Sequence, residues 1–147
     1  MDHALQVIED AFADAPRPND EELLHQACAD DNDIKSLYGI PHWREVPDRV
    51  VEYEYAALFF LSPAGFRHFL PAYMSYALRH PTTDQPVVGS TVFALTPMPE
   101  EQTRTFSLSK FSHFDRAQQA AVVAFLKSMA EHEDVDAALD HWRTSPG

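Results

Sequence analysis

The sequence predicts a mainly α fold of the α+β class. It is a compact single-domain bundle of about five to six helices over residues 1–147, with a small β-hairpin near 50–70 in one of two readings of that stretch. Three observations carry this. Apolar residues recur at helical spacing along most of the chain. Strand-like alternation is confined to residues 51–55. Glycine is scarce, with 4 residues, and 11 prolines punctuate the chain, so the connections are stiff.

Leu5, Ile8, Ala11, Phe12 and Ala15 place a first amphipathic helix over 2–14, stopped by Pro16 and Pro18. Asn19 is positioned to cap a second helix, with Glu22 three residues on and Leu23, Leu24, Ala27 and Cys28 as its buried stripe. Asp30-Asp31-Asn32-Asp33 reads as a turn. Asp33 then caps a short helix through Tyr38, and Gly39 supplies a left-handed stop. Residues 39–47 are irregular and anchored by Trp43. Asp48 to Tyr55 fits helix or strand; over 51–55, Val51, Tyr53 and Tyr55 alternate with Glu52 and Glu54, which favours an extended segment with one wet face.

Ser62-Pro63-Ala64-Gly65 fits two structures. As a type I turn it joins strand 56–61 to strand 66–70. As a helix start it has Ser62 at the N-cap and Pro63 at the first position, and Phe66, Phe69, Leu70 and Tyr73 then share one face. Pro71 removes the bond to Arg67 and clashes there, at about 3 kcal/mol. The stretch is therefore expected to break into a short element through Leu70 and a helix over 71–79, ended by His80-Pro81. Val87 to Leu95 forms one further short element, and Thr103 to Ser109 is polar and β-tolerant. Asp115 caps a helix to about Glu131, with Val122, Phe125, Leu126 and Met129 buried. Asp134 caps a last helix that buries Val135, Ala138, Leu139 and Trp142.

At 147 residues the chain buries roughly 70% of its unfolded surface, enough for one core. The longest apolar run, Ala56 to Leu61, is far short of the about 20 residues a membrane span needs. MDHALQVIED lacks a basic n-region and an apolar h-region, so no secretory signal is expected. The single cysteine, Cys28, excludes an internal disulfide and fits the cytoplasm. Net charge is −12, unevenly spread: −10 over residues 1–54, +2 over 55–130 and −4 over 131–147. Such a surface disfavours nucleic acid and anionic lipid and suits a cationic protein.

No catalytic motif stands out. There is no G-x-S-x-G, and glycines at 39, 65, 89 and 147 cannot build a phosphate loop. Cys28 lies among Glu22, Asp30 and Asp31, whose charges raise a thiol pKa. Eight histidines invite a metal, but none sits in H-E-x-x-H or H-x-H spacing. His25 with Cys28, or His132 with Glu133 and His141, could share a ligand, and Asp30, Asp31 and Asp33 resemble a calcium-loop fragment without its glycine and closing glutamate. No metal and no cofactor is expected. An enzyme reading needs the fold to gather His42, His68 and His113.

The aromatic stretch carries the functional expectation. Core packing accounts for Phe59, Leu61, Phe66, Phe69 and Leu70. Tyr73 and Tyr76, one turn apart, could line an exposed groove beside Glu52 and Glu54, and these four are the expected partner contacts. Trp43 followed by E-V-P, then FLSPAGFRHFLPAYM at 60–74, then F-x-x-x-Q-x-x-x-V-x-x-F-L over Phe114 to Leu126, together resemble a family of small bacterial proteins known as a domain of unknown function. The resemblance implies a compact bacterial cytoplasmic protein and no particular chemistry. The expected function is protein binding, most concretely an immunity-type inhibitor of a cationic toxin or nuclease. A small metal- or ligand-binding enzyme and a homodimeric structural or adaptor protein are the alternatives.

Overall fold

The computed structural model describes residues 2–132 and 135–144, and these form seven α-helices. They are α1 (Asp2–Phe12), α2 (Asp48–Tyr53), α3 (Pro63–Arg79), α4 (Val87–Ala94), α5 (Glu101–Phe111), α6 (Arg116–Ser128) and α7 (Val135–Thr144). Short 3-10 turns at Asp20–Glu22, Lys35–Leu37 and Trp43–Glu45 carry the chain from α1 to α2, and another at Ala57–Phe59 leads into α3.

α3 is the axis of the bundle. Ser62 caps it, its hydroxyl accepting from the Gly65 amide at 3.1 Å, and Pro63 opens it. The helix continues unbroken through Pro71, contrary to the expected break at Leu70. The reason is energetic. Pro71 costs about 3 kcal/mol. Phe66, Phe69, Leu70 and Tyr73 are all fully buried around the continuous helix, and each such side chain contributes about 1.5–3 kcal/mol.

The hairpin near 50–70 is not formed, and no strand occurs among the described residues. Leu61 pairs instead with Leu24 in one isolated antiparallel bridge, flanked by His25 N–H to the Phe60 carbonyl at 2.8 Å and Ser62 N–H to the Leu23 carbonyl at 2.7 Å. The same bridge replaces the expected helix over 19–28, of which only the 3-10 turn Asp20–Glu22 forms. Gly65 permits the contact. A Cβ there would stand 3.2 Å from the Leu23 carbonyl oxygen. Gly39, at φ 78°, is the left-handed stop the sequence predicts.

α5 covers the stretch expected to be β-tolerant. Its hydroxyls turn back onto their own helix: Thr103 to the Glu100 carbonyl, Thr105 to Glu101, Ser107 to Arg104 and Ser109 to Phe106. α6 starts as predicted. Asp115 accepts from the Gln118 amide at 2.8 Å, and Gln118 reaches back to the Asp115 amide at 3.1 Å, a complete capping box. Asp115→Ala is expected to lower stability by about 1 kcal/mol in urea denaturation. The predicted cap of α7, Asp134, lies outside the described residues.

One chain of rings ties the helices together. Phe114 packs on Phe12 of α1 at 5.9 Å, on Phe66 of α3 at 5.9 Å and on Trp142 of α7 at 5.2 Å, while Trp142 meets Phe111 of α5 at 4.9 Å.

Candidate functional site

The four expected contact residues meet one another. α2 runs antiparallel to α3, and a ladder of polar contacts joins them. Asp48 takes two bonds from Arg79, at 2.9 and 3.0 Å, and lies 3.1 Å from His80. One step along, the Tyr76 hydroxyl donates to Glu52 at 2.6 Å. At the far end the Tyr73 hydroxyl donates to the Glu54 carbonyl at 2.8 Å. The Glu54 carboxylate in turn accepts from the Ser36 amide at 2.9 Å. The Arg79 bonds hold the Asp48 carboxyl below its ordinary value and raise the guanidinium's.

Glu54, Tyr73 and Tyr76 are buried and Glu52 is half-buried. As folded, the two tyrosines line no exposed groove. They lock α2 onto α3. The alternation expected over 51–55 does not hold: Val51 and Glu54 turn inward, Glu52 is half-buried against the Tyr76 hydroxyl, and Tyr53 and Tyr55 turn outward, 75% and 43% exposed. The segment is helical through Tyr53, and a helix places Val51 and Glu54, three positions apart, on one face in place of alternating residues.

The fold brings His42 and His68 together, with ring centroids 5.3 Å apart. His68 is fully buried. Its Nε2 accepts from the Trp43 amide at 3.1 Å, which makes Nδ1 the protonated nitrogen, donating to the Ala15 carbonyl at 3.0 Å. His42 Nδ1 accepts from the Arg44 amide, so its Nε2 donates to the Ala13 carbonyl at 3.2 Å. All four ring nitrogens are engaged with backbone, so the pair is a latch between the end of α1 and Trp43. His113 is exposed and does not join it. Among the described residues no three His, Cys, Asp or Glu side chains are placed to hold a metal. Glu133, expected beside His132 and His141, lies outside the described residues.

Lys110 is the one buried lysine or arginine among the described residues. Its ammonium donates to the Leu58 carbonyl at 2.9 Å and stands over the rings of Phe106, at 4.4 Å, and Phe66, at 5.5 Å. Burial pushes its pKa down to about 8. Cys28 lies nearby, its thiol 3.8 Å from the Phe60 carbonyl and raised in pKa chiefly by burial, with Asp30 and Asp33 adding to it. An unfolded lysine holds its proton to about pH 10.5. Between pH 8 and that value the unfolded state binds the extra proton, so this residue makes stability rise with pH. Subtracting the stability curve of Lys110→Met from that of the wild type should leave this rising limb, and a flat difference would refute the assignment.

Two surface features stand apart from the core. The first is the group of exposed rings: Tyr53 at the end of α2, Tyr55 just after it, and Phe93 on α4, 47% exposed and tilted against Phe59 at 5.7 Å. The second is a cleft of about 910 Å³ on the outer face of α6, lined by Arg116, Val123 and Lys127, by His3 of α1 and by Trp142 and Arg143 of α7. Its signal in the sequence is the stripe opposite the buried Val122, Phe125 and Leu126.

The chain belongs to the family of unknown function DUF6714, which matches residues 1–145. No curated protein and no solved structure matches it.

Proposed function

We propose that this member of the family is a binding protein for a cationic protein, of the immunity type that masks a basic toxin or nuclease. The observation that carries the reading is the exposure of Tyr53 and Tyr55 at the end of the acidic N-terminal stretch, residues 1–54, which holds a charge of −10. Tyrosine is a frequent anchor of protein interfaces, because a large ring with few rotatable bonds buries much area at small entropic cost. The surrounding carboxylates would speed the encounter with a basic partner and make it sensitive to salt.

The contacts differ from those the sequence suggested. Tyr73, Tyr76 and Glu54 support the surface from beneath, and Tyr53 and Tyr55 take the contact role, with Glu52 at their side. The ladder from Asp48 to Glu54 fixes the pose of the two rings, so little order remains to be acquired on binding.

The test is affinity capture from the cells that encode the protein, with wild-type and Tyr53→Ala/Tyr55→Ala baits compared at low and high salt. A basic protein held by the wild type, released by salt and reduced about tenfold on the variant supports the reading. Capture of no basic protein at low salt, or equal capture on both baits, overturns it. Both side chains are exposed, so the variant should fold, which circular dichroism verifies.

A further inference from the structure

We infer that the cleft over α6 is a second binding site, built for an extended acidic segment of a partner protein. The argument starts from charge. Acidic residues outnumber lysine and arginine 23 to 11 in this chain. Yet the cleft gathers Arg116, Lys127, Arg143 and His3, and no described acidic side chain lines it. Arg116, Lys127 and Arg143 make no ion pair or hydrogen bond among the described residues. Asp115, the nearest carboxylate in sequence, is committed to capping α6.

The cations fall at two ends. Arg116 opens α6 and Lys127 lies in its last turn, eleven positions later, which at 1.5 Å per residue is about 16 Å along the axis. Arg143 joins the Arg116 end, because Trp142 stacks on Phe114 just before α6. His3 joins the Lys127 end, because α1 runs antiparallel to α6: the Gln118 amide reaches the Ala11 carbonyl at 3.4 Å, which sets the end of α1 against the start of α6. Between the two ends the floor is small and apolar, formed by Ala120, Val123 and Ala124.

Like charges gathered without counter-charge cost energy until an anion neutralises them. The layout asks for two anionic groups about 16 Å apart joined by a slim apolar span. An extended peptide rises about 3.3 Å per residue, so acidic side chains five positions apart, with small residues between, satisfy it. The cations stand exposed on an open face, which suits a chain laid along a groove more than a small molecule that must be enclosed. A duplex is disfavoured by the −12 net charge.

The probe is a fluorescein-labelled, end-blocked hexapeptide, Glu-Ala-Val-Ala-Ala-Glu, titrated with the full chain and followed by anisotropy. Saturable, salt-sensitive binding is expected, absent for the same peptide with both glutamates changed to glutamine. Arg116→Glu and Lys127→Glu should each weaken it about tenfold. Both positions are exposed, so the variants should retain the wild-type circular dichroism spectrum. Tyr53→Ala/Tyr55→Ala should bind the peptide as the wild type does, which separates this site from the proposed capture face. No binding at millimolar protein in low salt, or binding indifferent to the charge reversals, overturns the inference. So does displacement by ATP or inorganic phosphate at concentrations where the acidic peptide itself does not compete, since the site would then belong to a small anion.

Discussion

Replacing Tyr73 by alanine is expected to cost the fold about 4 kcal/mol, and replacing it by phenylalanine about 1–2 kcal/mol. The two numbers separate two roles of one side chain. Tyr73 has no solvent exposure, so truncation removes a whole ring from the centre of α3 and leaves a cavity that the stiff neighbouring rings cannot fill. Phenylalanine keeps the ring and loses only the hydroxyl, whose hydrogen bond to the Glu54 carbonyl then leaves a buried acceptor unpaired. Burial raises the phenol's pKa far above its ordinary value, so it remains a donor at any working pH. Urea denaturation of the three proteins checks this. If phenylalanine costs as much as alanine, the hydroxyl rather than the packing holds α2 in place. Because Glu54 follows directly on Tyr53, the phenylalanine variant should also weaken any interaction through Tyr53 and Tyr55 while leaving the α6 cleft unaffected.

The elements legible from the sequence were those whose local signals agreed with their surroundings. α1 and α6 carry a continuous apolar stripe and, for α6, an N-cap with its reciprocal glutamine three residues on. Gly39 was legible because a left-handed position after a short turn favours that residue alone. The errors arose where long-range contacts overrule local preference. Pro71 breaks a helix in isolation, but α3 is wrapped by other helices, and the burial around it outweighs the proline's cost. Thr103 to Ser109 looked β-tolerant because hydroxyls and β-branching count against helix on a propensity scale. In α5 those hydroxyls find carbonyls one turn back. The tyrosines followed the same logic. Ring content alone cannot say which side of a helix faces inward, and the deciding contacts, Glu52 to Tyr76 and Glu54 to Tyr73, span 24 and 19 residues. Of the α6 cleft only the exposed stripe of α6 was legible, because α1, which supplies His3, lies about a hundred residues before α6 and α7, which supply Arg116, Lys127 and Arg143.

Acid should destabilise this protein through His68, with a loss of about 3 kcal/mol between pH 6.5 and 4. In the unfolded chain this histidine takes a proton near its ordinary value of 6.5. In the folded chain burial holds it down to about 4, and the neighbouring His42, Arg17 and Arg67 act in the same direction, against the opposing pull of the Ala15 carbonyl. The geometry explains the resistance. Nε2 is occupied as the acceptor of the Trp43 amide, so a second proton would have to break that bond and charge a ring with no exposure. Between the two values the unfolded state binds the extra proton, so stability falls as pH drops through this window, while above 6.5 both states are neutral and the contribution is whole. His68→Gln keeps an acceptor for the Trp43 amide and a donor for the Ala15 carbonyl without a titrating group. Its stability should be lower than the wild type's at pH 7 by about 1 kcal/mol for imperfect bonds, and should change less across the acid window. Parallel curves for the two proteins between pH 4 and 6.5 would refute the latch. His68→Ala, which leaves both backbone groups unpaired and a cavity beside Phe69, should cost about 3 kcal/mol at any pH. The latch stands directly before the turn that leads into α2. Opening it would loosen the segment that presents Tyr53 and Tyr55; in the folded chain that happens only near pH 4, so the proposed capture of a cationic partner should fail there, in the range where surface carboxylates also take up protons.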